Sequence, residues 1–273
     1  MERIESASNT KIKLAASLHQ RKERERRGEF VAEGVRLAET AALSGWPLSF
    51  CIVTESALAN DRVQGILGML REKECPVYVV PPNVYKKASA TESPQGVLLV
   101  IKTVQSSLSN FTVGKNSMVV VLDRIQDPGN AGTIIRTADA AGCSGVIAME
   151  GTVDLFSDKA VRSSMGSLFH LPVVTHVKGA EWTTFAKEQG ISCYAALLDK
   201  ASAPYFAKDY RRASAVVFGN EGNGVSGDIL DGAEPIYIPM SGKAESLNVA
   251  TSAAIVLYEA FRQRYGSNSS QQR

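Results

Sequence analysis

Apolar positions along the chain alternate between short, nearly unbroken runs and stretches spaced at three and four residues, which predicts strands and helices in turn. Residues 30–45, FVAEGVRLAETAALSG, are apolar at Val31, Val35, Leu37, Ala38 and Ala42 and predict an amphipathic helix. SFCIVT at 49–54 predicts a strand, residues 61–72 a helix, CPVYVVP at 75–81 a buried strand closed by Pro81 and Pro82, and GVLLVIK at 96–102 another strand. This alternation predicts a layered α/β domain over residues 1–102. TVQSSLSNFTVGKNS at 103–117 is thin in apolar side chains and predicts a linker. Five apolar runs follow: MVVVLD at 118–123, GVIAM at 145–149, ISCYAAL at 191–197, SAVVFG at 214–219 and PIYIP at 235–239. Runs apolar on both faces fit a parallel sheet covered on both sides. A last helix carries its apolar stripe through Leu247, Ala250, Ala254, Leu257, Tyr258 and Phe261, so the second domain spans 118–265 and GSNSSQQR at 266–273 is a polar tail.

Composition narrows the class without naming a partner. The chain has 273 residues, 44% apolar and 21% charged, with a net charge of +2, which excludes disordered, fibrous and supercharged classes. It opens on the polar MERIESASNTKIK and holds no run near the roughly 20 apolar residues of a membrane helix, so neither a secretory signal nor a membrane span is expected. Cys51, Cys75, Cys143 and Cys193 lie too far apart for a C-x-x-C motif and read as reduced thiols of a cytosolic protein. His19, His170 and His176 fall in no ligand spacing, so no metal site is expected. Residues 20–29, QRKERERRGE, hold five basic and three acidic side chains. This stripe is either a solvated helical face laced by pairs such as Glu23 with Arg27, or a phosphate-contacting surface.

Chemistry is expected outside the carboxyl ends of parallel strands, and three loops of the second domain stand there. In LDRIQDPGNAGTIIRTADAAG at 122–142, Asp127, Pro128 and Gly129 form a tight turn and Asn130 suits the N-cap of a helix starting near Ala131. Arg136, among Ile134, Ile135, Ala138 and Ala141, is either a snorkelling or ion-paired residue or an anion ligand. VVFGNEGNGVSGDIL at 216–230 has glycines at 219, 222, 224 and 227, which let backbone N–H groups approach a ligand, while Glu221 within it disfavours a phosphate cradle. In YIPMSGKAESLNVATSAAIVLYEA at 237–260, Gly242 and Lys243 are followed by Ala244, and Tyr237 replaces the first glycine of a P-loop, so the ATP-binding reading fails. Ser246 can N-cap the last helix there. No G-x-G-x-x-G turn opens the domain, which leaves NAD unsupported.

Taken together, the motifs N-A-G-T-I-I-R-T-A-D-A-A-G at 130–142, F-G-N-E-G-N-G at 218–224 and I-P-M-S-G-K-A-E-S-L-N-V-A at 238–250 resemble the SpoU (TrmH) family of the SPOUT superfamily, RNA 2'-O-ribose methyltransferases. N-T-K-I-K at 9–13, R-K-E-R at 21–24 and F-V-A-E-G-V-R at 30–36 resemble, more loosely, the ribosomal-protein-like α/β/α substrate-binding domain often attached to that family. The resemblance implies an α/β chain with a deep trefoil knot formed by the last strands and helix, S-adenosylmethionine as methyl donor, an RNA substrate and a homodimer. It implies Gly219, Ile238 and Leu247 as cofactor contacts, Arg136 as the catalytic arginine, and Asn130, Glu221, Ser246 and Asn248 as the other polar site positions. A guanidinium with a pKa above about 12 is a poor base, so Arg136 is expected to bind and orient phosphate instead. An RNA substrate also turns Arg21, Lys22, Arg24, Arg26 and Arg27 into candidate backbone contacts. The implied reaction is 2'-O-methylation of ribosomal RNA in the cytoplasm. The competing readings are a tRNA 2'-O-methyltransferase, a base methyltransferase, and a non-catalytic RNA-binding or ribosome-assembly factor of the same fold.

Overall fold

The chain divides into two units, each with an apolar core, one of Met1–Val104 with Asp154–His170 and the other of Gln105–Val153 with Leu171–Arg273. The computed structural model describes residues 1–104, 106–197 and 202–269, the side chains of 266–269 excepted. Gln105 of the expected linker and residues 270–273 of the expected tail lie outside the described residues.

The first unit runs β1 (Glu2–Arg3), α1 (Thr10–Ser17), α2 (Arg21–Arg27), β2 (Glu29–Glu33), α3 (Val35–Leu43), β3 (Leu48–Thr54), α4 (Asp61–Glu72), β4 (Val77–Val80), α5 (Pro82–Ala88) and β5 (Val97–Lys102). Its sheet has the order β1-β4-β3-β5-β2, with β5 antiparallel to both its neighbours and the other pairs parallel. The helix expected from residue 30 is a strand first. Phe30 to Glu33 pair with Ile101 to Leu98, and Gly34 at φ +106° breaks the backbone in a conformation no other residue adopts easily before α3 begins.

In the second unit, β6 (Met118–Leu122), α6 (Pro128–Ala140) and β7 (Gly145–Met149) lead to α7 (Asp158–Ser164), which belongs to the first unit. The chain continues through β8 (Val173–Val177), α8 (Gly179–Glu188), β9 (Ser192–Ala196), β10 (Ala203–Pro204), β11 (Ser214–Phe218), α9 (Gly227–Leu230), β12 (Glu234–Tyr237) and α10 (Val249–Ser269). Among the described residues its seven strands are all parallel, in the order β10-β12-β9-β11-β6-β7-β8. Every residue of β6, β7 and β11 is buried, as the unbroken apolar runs require. β8 has no counterpart among the predicted strands because it is an edge strand: Thr175 and His176 are not buried, so its run is interrupted. The stretch read as a linker is built into this unit, with Ser106 bridged to Val174 and Phe111 buried in the core. The helix expected to end before residue 266 continues to Ser269.

Residues 154–170, read from the sequence as part of the second domain, pack instead within the first unit. Phe156 and Phe169 lie 5.2 and 6.1 Å from Phe30, and Phe169 meets Trp46 edge-on at 5.6 Å. Arg24 pairs with Asp154 at 2.7 Å and His19 with Asp158 at 2.9 Å.

All four cysteines are free and buried; burial pushes the thiols of Cys75 and Cys193 up to about 11, Cys143 up to about 12, and raises Cys51 as well, so they stay protonated and inert. Among the described residues no helix is long and apolar enough to cross a membrane.

Candidate active site

Leu122, Phe218 and Ala196 pair across β6, β11 and β9 at one level, so the loops that follow these strands emerge side by side at the carboxyl edge of the sheet. A cavity of about 550 Å³ opens there, between Phe218–Val225, Ile236–Met240 and Ser246–Val249. Its floor is apolar, from Phe218, Ile236 and Val256, and its rim is polar, from Asn220, Glu221, Ser246 and Asn248. That size and lining suit a small organic cofactor.

Gly219 is required by contact. A Cβ there would lie 2.4 Å from the carbonyl of Gly224 and 2.5 Å from the nitrogen of Val225, because the loop folds back on itself. Asn220 closes that fold through paired backbone bonds with Gly224 of 3.0 and 2.9 Å. Its Oδ1 accepts from the N–H groups of Gly222 and Asn223, and its Nδ2 donates to the carbonyl of Arg124. The far end of the loop is tied by Asp123, buried at the end of β6, which accepts from both the N–H and the Oγ of Ser226 at 2.7 Å.

One directed chain of amides joins the three motifs. The Oδ1 of Asn248 accepts from the N–H groups of Ala250 and Thr251, so Asn248, not Ser246, caps α10. With its oxygen committed, Asn248 donates through Nδ2 to Asn130 Oδ1 at 3.1 Å, and Asn130 donates in turn to Glu221 Oε1 at 2.9 Å. A carboxylate only accepts, so Glu221 fixes the direction of the whole chain. Asn130 is therefore free of the N-cap role expected from sequence. Asp127 holds it, accepting from the Asn130 N–H at 2.8 Å, and α6 starts at Pro128, whose missing donor costs nothing in the first turn.

Gly219, Ile238, Leu247, Glu221, Ser246 and Asn248 thus line one cavity, and Asn130 is hydrogen-bonded to two of them. Arg136 is not in that group. Six residues beyond Asn130, it lies about 120° around the helix from it, exposed, while Ile134, Ile135 and Ala138 are buried. Among the described residues it makes neither a hydrogen bond nor an ion pair, which sets aside the ion-paired reading.

The basic stripe resolves into unlike parts. Arg24 is 7% exposed, and its guanidinium bonds Asp154 and the carbonyl of Leu18, so it is a buried structural ion pair and not a nucleic-acid contact. Arg21 pairs with Glu25, and Arg26 and Arg27 with Glu23, on the solvated face of α2. Lys22 is exposed. Asn220, Asp123 and Ser226 escaped the sequence reading. The only signals were an Asn between a glycine and an acid directly after a strand, and an acid ending an apolar run.

Comparison with known proteins places both halves. Residues 117–258 match the SpoU rRNA Methylase family, and residues 9–99 match the MRM3-like substrate binding domain. The chain is 37% identical over 260 residues to the 23S rRNA (guanosine(2553)-2'-O)-methyltransferase RlmP of Bacillus subtilis, covering 94% of this chain and 98% of that one. It is 32% identical over 254 residues to a 23S rRNA (uridine(2479)-2'-O)-methyltransferase of Streptomyces viridochromogenes, covering 91% and 88%. The crystal structure of an AdoMet-bound rRNA methyltransferase from Sinorhizobium meliloti superposes with a TM-score of 0.87 at 31% identity, covering 96% of this chain and 97% of that one.

Proposed function

The chain belongs to the SpoU rRNA methylase family, and on that premise we propose that it is an S-adenosylmethionine-dependent methyltransferase acting on a ribose 2'-hydroxyl of ribosomal RNA. The observation that carries the proposal is the hydrogen-bonded run from Asn248 through Asn130 to Glu221, which fastens three loops around one cavity of cofactor size. S-adenosylmethionine supplies a methyl group already activated on a sulfonium. What the protein adds is position for a weak nucleophile.

Gly219, Ile238 and Leu247 would hold the cofactor: the bare Cα of Gly219 leaves a close backbone approach, and the other two present apolar walls. Asn130 and Asn248 keep the mouth of the cavity in one shape, and Glu221 anchors the glycine loop to α6. Ser246, exposed on the rim, aligns the incoming hydroxyl. Arg136 clamps the phosphate next to the target ribose. Its exposed guanidinium has no competing acceptor among the described residues, and a planar fork matches two phosphate oxygens. The same family reading implies a trefoil-knotted passage of the chain around the cavity.

We propose a homodimer as well, as the family resemblance implies. Supporting it, Tyr258, Phe261 and Tyr265 form an outward stripe on α10, 49%, 38% and 68% exposed, with adjacent rings 5.8 and 5.5 Å apart. A monomer at micromolar concentration in solution scattering would refute it. A ribosomal RNA substrate is consistent with a cytoplasmic enzyme and makes Lys22, with Arg21, Arg26 and Arg27, candidate backbone contacts on the substrate-binding unit. The two relatives are named for different nucleotides, a guanosine and a uridine, so the target base is not carried over.

Incubation with radiolabelled S-adenosylmethionine and an unmodified 23S rRNA transcript tests the activity. Transfer of label supports it; binding of both ligands without transfer favours a non-catalytic RNA-binding factor.

A further inference from the structure

Arg124, the second residue beyond β6, adopts φ +55°, a left-handed conformation unfavourable for a bulky side chain. Three loops hold it there. Its N–H donates to Thr152 Oγ1 at 3.0 Å, and its carbonyl accepts from Asn220 Nδ2 at 3.0 Å and from Gln126 Nε2 at 2.8 Å. Gln126 reaches on to the carbonyl of Gly151, and a Cβ on Gly151 would sit 3.1 Å from Arg124 Cγ, so the arginine stem lies along that glycine.

None of these bonds uses the guanidinium. Its own contacts are long: Nε to the adjacent Asp123 at 3.3 Å and Nη2 to the carbonyl of Gly224 at 3.5 Å. Asp123 in turn spends its other oxygen on the two short bonds from Ser226. Five N–H donors with two stretched acceptors, on a side chain 38% exposed, leave most of the fork available. The backbone bonds would be served as well by glycine or asparagine, which tolerate this conformation, so packing does not explain why an arginine bears the strain.

We propose that Arg124 is a binding residue for the RNA substrate, gripping a backbone phosphodiester beside the cofactor cavity. The inference rests on the methyltransferase reading above and deepens it by naming a phosphate contact. Asn220 and Gly224, which touch Arg124, both line the cavity, whereas Arg124 does not. Its charge therefore stands beside the cofactor and not within its site. A fixed, planar, doubly donating cation fits a phosphodiester's two free oxygens.

The experiment compares wild type with Arg124→Gly, which removes the fork while relieving the backbone, and Arg124→Lys, which keeps the charge. Binding to an unmodified 23S rRNA transcript is measured across a salt series, S-adenosylmethionine binding by calorimetry, and the melting temperature in parallel. Arg124→Gly is expected to weaken RNA binding about tenfold and to flatten the log-affinity against log-salt slope by about 0.7 to 0.9, the loss of one phosphate contact. Its melting temperature should hold or rise, its cofactor affinity should stay within about twofold of wild type, and Arg124→Lys should restore the slope. Arg124→Asn, also at home in this conformation, should repeat the result should glycine loosen the loop. Unchanged RNA affinity and salt slope in Arg124→Gly would overturn the inference, as would a fall in cofactor affinity, which would point to the donor's carboxylate or to loop structure. Wild type that transfers label to RNA while Arg124→Gly matches it sinks only Arg124. Wild type that transfers none sinks the methyltransferase reading and this inference with it.

Discussion

At Asn130 one amide sets the relation of two loops and a helix, because its donor end and its acceptor end are both committed. Asn130→Asp keeps the shape but turns the donor into a carboxylate against Glu221, 2.9 Å from the present nitrogen. Methyl transfer should fall about a hundredfold, near 2.7 kcal/mol, as far as in Asn130→Ala, with the melting temperature little changed; initial rates of label transfer check this. Gly219→Ala would drive a methyl group into the Gly224 carbonyl and should weaken cofactor binding at least about tenfold by calorimetry. The residues of this network were legible as letters of three motifs, but their duties were not. Asp127 and Asn130, or Ser246 and Asn248, are all good caps by type, and only the path of the backbone decides which oxygen meets the free N–H groups. The left-handed backbone of Arg124 was hidden for the same reason, since residue type carries no warning of it.

Between elements, His19 joins the end of α1 to α5 and α7. Its Nδ1 faces Asp158 Oδ2 and its Nε2 the carbonyl of Ala88, each at 2.9 Å, so both bonds form together when the ring is protonated and both nitrogens donate. The hydrogen bond to Asp158 raises the His19 pKa above its ordinary 6.5, with burial opposing, and the Asp158 charge, the Ala88 carbonyl and Glu33 adding to the rise. A raised folded-state pKa means the folded form holds this proton more tightly than the unfolded chain. Its stabilisation is complete below pH 6.5 and is lost as the pH climbs through the raised value. Urea midpoints at about pH 6 and about pH 9 should therefore differ more in wild type than in His19→Gln, and an equal difference would contradict the clamp. Elements with unbroken apolar runs or strong periodicity, such as β6, β11 and α4, were legible in sequence. β2 was not, because its five residues continue smoothly into the apolar spacing of α3 and only the pairing with β5 distinguishes them.

Across the whole molecule, the least legible feature is the passage of residues 154–170 into the first unit, since it rests on contacts more than a hundred residues apart in the chain, Phe30 with Phe156 and Arg24 with Asp154. Phe169 is 7% exposed against Phe30 and Trp46, so Phe169→Ala should cost about 3 to 5 kcal/mol, read from Trp46 fluorescence in a Trp182→Phe background. A loss below about 1 kcal/mol would show the passage to be a loose attachment. Family membership, the cavity at the carboxyl edge of the parallel sheet and the directed amides around it all converge on one chemical outcome. Nuclease digestion and mass analysis of 23S rRNA after reaction with isotopically labelled donor tests that outcome most directly. The account requires the new methyl group on the ribose of a single nucleotide; label on a base, or none on the RNA, would contradict it.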